Sequence, residues 1–467
     1  MTPPRPPTSP RARDRARERR PPAPLRHKRA LTNVGGAVER RGDEAVSREL
    51  AAALDVEPGA GLDRWTHGFH TWAARMHPDV AQRLVRSFGR PGAAVLDPFC
   101  GSGTVVVEAL AAGCRPLGRD LHPLGVRLAR LRSAVVPEAR RKLVRERARR
   151  IAGLALGRVR QGHRPPGNRP PGDDLFDSRT LAELAWLRLE IRNDHDPFVR
   201  EALELVLSSI LVKLSCRTSD TDPRPSPHAS DRARDRARDR DRFPPSFPSP
   251  HASDRANDRA NDRARDRDRF PPSCRAPGSA TRLFVPKVDE LCRRWKTLRE
   301  ALPERALPAD VQLDDARRLH SVPDGIVDLV VTSPPYANVY DYADQHALRV
   351  DWLGLDDLAF QAGEVGARRS FRDPQQGAER WERDGRAWVG ALARVLRPGA
   401  PACILGGDGA TALGPLRFDE CLARWASDAG LQFVASTAQR RPIFDDQTRR
   451  AYPTTDRREH LILLRRS

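Results

Sequence analysis

The segment VLDPFCGSGT, residues 95 to 104, decides how the rest of the chain is interpreted. A short apolar run ends at an acid, Asp97, and two glycines, Gly101 and Gly103, then lead into the apolar stretch that Thr104 begins. Glycine lets a backbone approach a ligand closely, and the start of a helix offers free N–H groups. The pattern predicts a ligand site at the end of a buried strand, with a purely structural turn as the alternative.

A second acid supports the ligand site. The predicted strand CRPLGRD ends at Asp120, 23 residues after Asp97, near the distance at which doubly wound folds place an acid on a ribose. No Lys-Ser or Lys-Thr pair follows the glycines, and Val106 stands where a dinucleotide fingerprint needs its third glycine. We therefore expect a nucleoside ligand without a bound pyrophosphate, a description that S-adenosylmethionine meets.

Short apolar strands and helices of 3.6-residue spacing alternate along much of the chain. This alternation predicts an α/β protein with a parallel sheet covered by helices on both faces. The predicted strands are 94–96, 114–120, 327–331, 402–405, 432–435 and 459–464. The predicted helices are 78–88, 104–112, 181–191, 199–214, 281–302, 386–396 and 418–429.

A second motif lies in VVTSPPYANVYDY, residues 330 to 342. Proline is not tolerated inside a buried strand, so the strand must stop at Thr332 or Ser333. A stiff turn follows that offers a hydroxyl, carbonyl oxygens and a flat ring, which suits a planar group bearing an NH2. The alternative is a proline-type loop ligand, but the buried valine strand directly before the turn argues against it.

The two motifs together resemble the amino-group DNA methyltransferases, over about residues 65–135 and 310–466. The resemblance implies a Rossmann-like S-adenosylmethionine-dependent methyltransferase fold with a mostly parallel seven-stranded sheet. It also implies the cofactor S-adenosylmethionine. The cofactor-binding residues that it implies are Asp97, Phe99, Gly101, Gly103, Thr104, Asp120 and Asp315. The catalytic residues that it implies are Ser333, Pro334, Pro335 and Tyr336.

The resemblance implies methyl transfer to the exocyclic amino group of a base flipped out of DNA. Serine at position 333 favours cytosine N4 over adenine N6 within this family, and an RNA amino-methyltransferase is a further alternative. A nucleic-acid-binding protein with an inactive methyltransferase fold is the non-enzymatic alternative. Nucleic-acid contacts are expected at Tyr340, Tyr342, Arg368 and Arg369, and a restriction endonuclease is a candidate partner. The oligomeric state stays open.

We expect no metal. His67, His70 and His77 lie in the segment THGFHTWAARMHP without carboxylate or cysteine companions, and aromatic packing near the cofactor explains that segment. Asp408 is interpreted as shaping a turn.

Composition adds two expectations. The formal net charge of +20 favours a polyanionic partner, although an arginine-rich, lysine-poor composition is also what a GC-rich genome produces. The seven cysteines form no C-x-x-C pair, and no long apolar stretch or signal-type segment is present, which indicates reduced thiols in a cytoplasmic protein.

The chain divides into five predicted parts. A disordered, Pro/Arg-rich basic tail covers 1–45, the cofactor-binding half 46–135, and a helical middle region 136–225 that includes the candidate target-recognition segment KLSCRTSDTD. Residues 226–280 form a low-complexity insertion, in which the sequence of 226–246 is nearly repeated in 249–273. The catalytic half covers 281–467.

Overall fold

The structure, a computed structural model, describes residues 37–57, 59–166, 172–217, 278–443 and 446–467. Residues 1–36 of the predicted tail, 218–222 of the candidate recognition segment and 226–277 of the predicted insertion lie outside the described residues.

The described strands and helices reproduce the predicted alternation. The strands are β1 Glu39–Gly42, β2 Ala94–Asp97, β3 Arg115–Asp120, β4 Asp310–Leu313, β5 Leu329–Thr332, β6 Pro401–Gly407, β7 Gly409–Thr411, β8 Gly414–Leu416, β9 Leu431–Arg440 and β10 Arg458–Arg466. The α-helices are α1 Glu44–Leu54, α2 Pro78–Phe88, α3 Thr104–Ala111, α4 Pro123–Ser133, α5 Glu138–Arg160, α6 Ser178–Arg192, α7 Pro197–Leu214, α8 Ser279–Ala301, α9 Tyr342–Leu353, α10 Leu358–Gly363, α11 Pro374–Val395, α12 Phe418–Asp428 and α13 Asp446–Ala451.

The main sheet has the strand order β1-β9-β10-β6-β5-β2-β3-β4. Strands β4, β3, β2, β5 and β6 are mutually parallel, and β10 runs antiparallel to both β6 and β9. The fold is therefore the predicted α/β methyltransferase arrangement with a mostly parallel sheet. The sheet has eight strands rather than seven, because β1 pairs antiparallel with β9 at one edge.

The extra strand corrects the predicted boundary of the disordered tail at residue 45. Residues 39–42 form β1, and α1 begins at Glu44 with Asp43 as its N-cap, whose side chain accepts a hydrogen bond from Val46 N–H. An edge strand needs only backbone hydrogen bonds to its neighbour, so the polar sequence ERRG carries no apolar signal that would reveal it.

Both faces of the sheet are covered by helices, as predicted. On β5, Leu329 and Val331 pack into a core that includes residues of α1, α2 and α3. Val330 lies on the opposite face, in a core built with α11 and α12. Alternating burial of this kind on a fully buried strand explains why its sequence is continuously apolar.

The middle region is a helical layer in which α5, α6, α7 and α8 pack on one another and share one core with α4 and α9. Helix α8 begins after the undescribed segment, and its first N–H groups are bound by the buried Glu183 of α6: Gly278 N–H at 2.6 Å and Ala280 N–H at 3.0 Å. This contact ties both ends of the insertion to the helical layer. None of the described helices combines the length and apolar character needed to cross a membrane.

Candidate active site

The candidate site is a pocket at the carboxyl ends of the parallel strands, where strand order changes direction between β2 and β5. Its volume is about 850 Å³, including the part open to solvent. The lining comes from the loops after β2, β3, β4 and β5, from residues 72–76, and from the region of α9 and α10. Residues of both sequence motifs therefore face one cavity.

Asp97 lies at the end of β2 and is almost fully buried. Its carboxylate accepts a hydrogen bond from Thr332 Oγ1 at 2.7 Å and from Phe99 N–H at 3.1 Å. Burial raises the pKa of Asp97 to about 7, and the two hydrogen bonds oppose that shift. The buried carboxyl group has no basic partner of its own in the described structure, so a cationic ligand group would favour its ionised form.

The glycine loop is shaped first by contacts inside the protein. Gly101 and Gly103 have positive φ angles of 47° and 82°. A Cβ on Gly101 would lie 2.7 Å from Trp72 Nε1, and one on Gly103 would lie 2.8 Å from Ala129 Cβ on α4. Both glycines are therefore needed for close packing, in addition to the ligand approach that the sequence suggested. Thr104 is the first residue of α3 and lines the pocket, as does Phe99.

Asp120 connects the end of β3 to this loop. One carboxylate oxygen accepts Gly101 N–H and the other accepts His122 N–H, both at 2.7 Å. Burial raises the pKa of Asp120 to about 6, against the lowering effect of these backbone bonds. A carboxylate oxygen has two lone pairs, so each oxygen keeps one acceptor position for a ligand hydroxyl.

Asp315, predicted near the adenine, lines the same pocket in a different electrostatic setting. Its carboxylate is bound by the guanidinium of Arg317, with Arg317 Nη2 at 2.7 Å. Burial alone would raise the pKa of Asp315, but the hydrogen bonds from Arg317 outweigh it and lower the pKa.

The tetrapeptide after β5 is divided between two surroundings. Ser333 and Pro335 line the pocket, whereas Pro334 and Tyr336 are not among its described lining residues. The Tyr336 ring lies directly on the backbone of β6, because a Cβ on Gly407 would be 2.5 Å from a ring carbon. The Tyr336 hydroxyl donates to the carboxylate of Glu459 on β10 at 2.5 Å. Burial raises the pKa of Tyr336 to about 12.

The four residues predicted to contact nucleic acid are distributed unevenly. Tyr342 lines the cofactor pocket, and its ring centroid is 5.6 Å from that of Tyr340. Arg369 donates to the buried Glu364 at 2.6 Å, which commits its guanidinium to the protein interior. The Arg368 side chain is 66% exposed. Arg368 and Tyr340 are thus better placed than Arg369 and Tyr342 to reach a polymer outside the pocket.

Sequence reasoning missed several lining residues, among them Trp72, His122, Phe360 and Glu364. Trp72 stacks on His346 with ring centroids 4.2 Å apart, and burial lowers the pKa of His122 to about 3, which keeps that ring neutral. Trp72 belongs to the segment THGFHTWAARMHP, so its presence had a signal. The segment around Phe360 and Glu364 carries no motif that could have identified it.

The three histidines of that segment have separate partners. His67 Nε2 contacts Glu108 at 2.7 Å, His70 Nε2 contacts Ser208 at 3.1 Å, and His77 Nδ1 accepts Asp79 N–H at 3.2 Å. A different trio, Asp408, Asp419 and His460, brings potential ligand atoms within 4.8 Å of one another. Both oxygens of Asp408 already accept backbone N–H bonds, from Phe418 and Arg458, consistent with a turn-shaping role.

The charge of the pocket is opposite to that of the chain. The formal net charge of the chain is +20, yet the described pocket lining contains four carboxyl groups, those of Asp97, Asp120, Asp315 and Glu364, and one guanidinium, that of Arg75. Such a lining suits a ligand with a net positive charge, polar hydroxyl groups and a flat ring system. Trp72, Phe360 and Tyr342 supply aromatic surface for the ring.

The parallel sheet, the acid and glycine loop after β2 and the acid after β3 define a Rossmann-like methyltransferase fold. Residues 55–130 match the DNA methylase family N6_N4_Mtase. The Type II methyltransferase M.MjaII of Methanocaldococcus jannaschii is 27% identical over 80 residues, which cover 17% of this chain and 15% of that protein. The Type II methyltransferase M.MvaI of Kocuria varians is 31% identical over 74 residues, 15% of this chain and 16% of that protein. The chain belongs to the amino-group DNA methyltransferase family, and it matches about one sixth of the length of these relatives.

Solved structures show weaker overlap. TrmN from Thermus thermophilus aligns with a TM-score of 0.31 and 12% identity over 89% of this chain and 55% of that chain. The rRNA methyltransferase aviRa from Streptomyces viridochromogenes aligns with a TM-score of 0.28 and 12% identity over 91% of this chain and 94% of that chain.

S-adenosylmethionine is the methyl donor that this family implies, and the described residues fit it. The donor carries an ammonium and a sulfonium, and the pocket supplies buried carboxyl groups whose raised pKa values show that they lack positive partners. Asp97 and the glycine loop would hold the methionyl end, and Asp120 the ribose.

Proposed function

We propose that the chain transfers a methyl group from S-adenosylmethionine to the exocyclic amino group of a base in DNA, most favourably N4 of cytosine. The carrying observation is that Asp97 and Ser333 line one pocket, with the strands that bear them joined by the Thr332–Asp97 hydrogen bond of 2.7 Å. That contact holds the end of β5 against the end of β2, which would bring an amino group bound at Ser333 close to a donor bound at Asp97.

The residues have distinct roles in this proposal. When bound, the cofactor supplies an electrophilic methyl group. The amino nitrogen of cytosine or adenine is a poor nucleophile because its lone pair is delocalised into the ring. Ser333 Oγ and the carbonyl of Pro334 accept the amino hydrogens and turn the lone pair toward the methyl group, while Tyr336 stacks on the base. Holding the two reacting groups in line supplies most of the acceleration.

The choice of base and polymer belongs to the same proposal. Serine at the first motif position favours cytosine N4, with adenine N6 as the alternative that keeps every residue in its role. A base that leaves its duplex can reach the pocket, and an unpaired base in RNA could reach it as well. A restriction endonuclease partner is proposed by analogy with the Type II methyltransferases named above.

The test is methyl transfer by the purified full chain. The protein is incubated with methyl-labelled S-adenosylmethionine and with host DNA or total RNA, and the product nucleosides are identified by mass spectrometry. We expect N4-methylcytosine in DNA, lost in Ser333→Ala. Ser427→Ala, at an exposed serine of α12, is the matched control and should retain full activity.

The other outcomes are distinguishable. N6-methyladenine would correct the base while keeping the mechanism, and label found in RNA alone would move the enzyme to the RNA class. Cofactor binding without transfer to any polymer, at protein concentrations well above the cofactor Kd, would contradict the proposed activity.

A further inference from the structure

The serine of the catalytic motif raises a question of hydrogen-bond direction. A serine hydroxyl can donate one hydrogen bond and accept two. Activation of an exocyclic amino group needs an acceptor at this position, because the amino group itself donates. If the Ser333 proton pointed into the pocket, it would oppose the amino hydrogens. Some neighbouring group must therefore take that proton.

The described neighbours of Ser333 form a hydrogen-bonded chain. The Tyr336 hydroxyl lies 2.5 Å from a carboxylate oxygen of Glu459, which is 1% exposed on β10. Arg441 pairs with the other carboxylate oxygen of Glu459, and both side chains are buried. Burial lowers the pKa of Arg441 to about 10, so its guanidinium is still charged at neutral pH and holds Glu459 as a carboxylate.

An ionised carboxylate can only accept hydrogen bonds. Tyr336 must therefore donate its proton to Glu459, which leaves the lone pairs of the phenol oxygen to accept. The Ser333 side chain hydrogen-bonds to Tyr336. With the phenol proton committed to Glu459, Ser333 is the donor in that bond, and both lone pairs of Ser333 Oγ remain for the pocket.

The position of the Tyr336 ring is fixed from the other side. A Cβ on Gly407 would come within 2.5 Å of the ring, so β6 accepts the ring only because it has a glycine there. The ring and its hydroxyl are thus held at two points, the backbone of β6 and the carboxylate on β10.

We propose that Glu459, held ionised by Arg441, directs the Ser333–Tyr336–Glu459 hydrogen bonds so that Ser333 Oγ acts as an acceptor for the target amino group. This inference rests on the proposed function and adds two positioning residues, Glu459 and Arg441, that neither motif contains. It explains how serine performs a task for which an aspartate would need no such help.

The first test is Glu459→Gln, assayed for steady-state methyl transfer and for cofactor binding. A glutamine amide can donate to the phenol oxygen and so reverse the chain. We expect kcat to fall about 10- to 100-fold, the range of a lost positioned hydrogen bond at a reacting group. The cofactor Kd and the KM for the nucleic acid should stay within about 2-fold, since uniform binding is not altered.

Two further variants separate positioning from a structural role. In a Tyr336→Phe background, Glu459→Gln should cause no additional loss of kcat, because the chain is already broken. In a Ser333→Asp background, Glu459→Gln should also have little effect, because aspartate accepts without directed partners. Equal losses in all three backgrounds would overturn the inference and indicate that Glu459 only supports the fold.

Removal of Glu459 alone leaves Arg441 buried without its partner and could unfold the chain. The double variant Glu459→Gln/Arg441→Met removes both charges and provides the same test in a neutral site. A kcat equal to wild type in a folded double variant would refute the proposal. Absence of transfer by the wild-type protein would instead refute the proposed function on which it rests.

Discussion

The two halves of the pocket handle buried charge in opposite ways. On the cofactor side, Asp97 and Asp120 are buried with only neutral hydrogen-bond donors, and burial raises their pKa values to about 7 and about 6. On the catalytic side, Glu459 pairs with Arg441 and Glu364 with Arg369. The comparison indicates that the protein leaves carboxyl groups unpaired where a cation is to bind and pairs them where a side chain must be oriented.

Removal of the Asp97 charge should produce the largest effect. Asp97→Asn keeps an acceptor for Thr332 but loses the negative charge that faces the ammonium. We expect cofactor affinity to fall by about 2–5 kcal/mol, the usual cost of truncating one partner of a buried charge pair. Isothermal titration of the cofactor measures it.

The matched variant for this comparison is Asp315→Asn. Its carboxylate already pairs with Arg317 at 2.7 Å, so its charge is compensated inside the protein. The loss of affinity should be about 10-fold or less, which is about 1.4 kcal/mol. Equal losses in both variants would show that the contrast between unpaired and paired carboxylates has no functional meaning.

Two glycines allow the halves to be separated. In Gly101→Ala the new Cβ would meet Trp72 at 2.7 Å, and in Gly407→Ala it would meet Tyr336 at 2.5 Å. Each should lower the free energy of unfolding by about 1–3 kcal/mol through overpacking. Gly101→Ala should weaken cofactor binding about 10-fold, while Gly407→Ala should lower kcat about 10-fold with unchanged cofactor Kd, at 1.4 kcal/mol per decade.

The control for both is Gly390→Ala in α11, where a Cβ would meet nothing within 4 Å. It should be neutral or slightly stabilising, since alanine is the better helix former. Chemical denaturation gives the stabilities, and titration with steady-state kinetics gives the separation. A cofactor defect in Gly407→Ala would contradict the proposed division of the pocket.

The dependence of binding on pH should be a moderate effect. Protonated Asp97 must lose its proton to meet the ammonium, so affinity should rise about 10- to 20-fold from pH 5.5 to 7.5, for a free pKa near 7 that falls by about 2 units on binding. Above about pH 7.7 the α-amino group of the ligand begins to lose its own proton. In the free protein the sign is reversed: because burial raises the pKa of Asp97 well above its unfolded value, the stability that this group contributes is present at low pH and is lost as pH rises toward 7.

Two measurements check this prediction. Thermal unfolding with saturating cofactor should show a ligand-induced rise in Tm that grows between pH 5.5 and 7.5. Titrations in buffers of different ionisation enthalpy should show proton release on binding. Asp97→Asn should remove most of both effects; if their size is unchanged in that variant, the titrating group lies elsewhere.

The same contrast explains what the sequence could predict. Strands such as β2 and β5 and the helices beside them carry apolar periodicity, and the motif residues Asp97, Asp120, Asp315 and Ser333 do line one pocket. Helix α5 was missed because its buried positions, including Val144, Ala148 and Ile151, form a narrow stripe among arginines. Pairings such as Glu459–Arg441 depend on which strands become neighbours, and the strand order is not encoded in any local pattern.

The smallest effect is expected from the duplicated segment. Helices α7 and α8 on either side of it pack on each other and on the same core, and Glu183 binds the first N–H groups of α8. We expect deletion of residues 226–273, which keeps 12 residues between Arg217 and Gly278, to change Tm by less than about 3 °C, since surface insertions of this length alter loop entropy by well under 1 kcal/mol per doubling. Cofactor affinity should be unchanged, because the pocket is built from other segments. If the shortened protein bound cofactor normally but lost transfer to DNA alone, the segment would belong to target recognition, and the middle region would then join the two halves of the pocket as a third functional part.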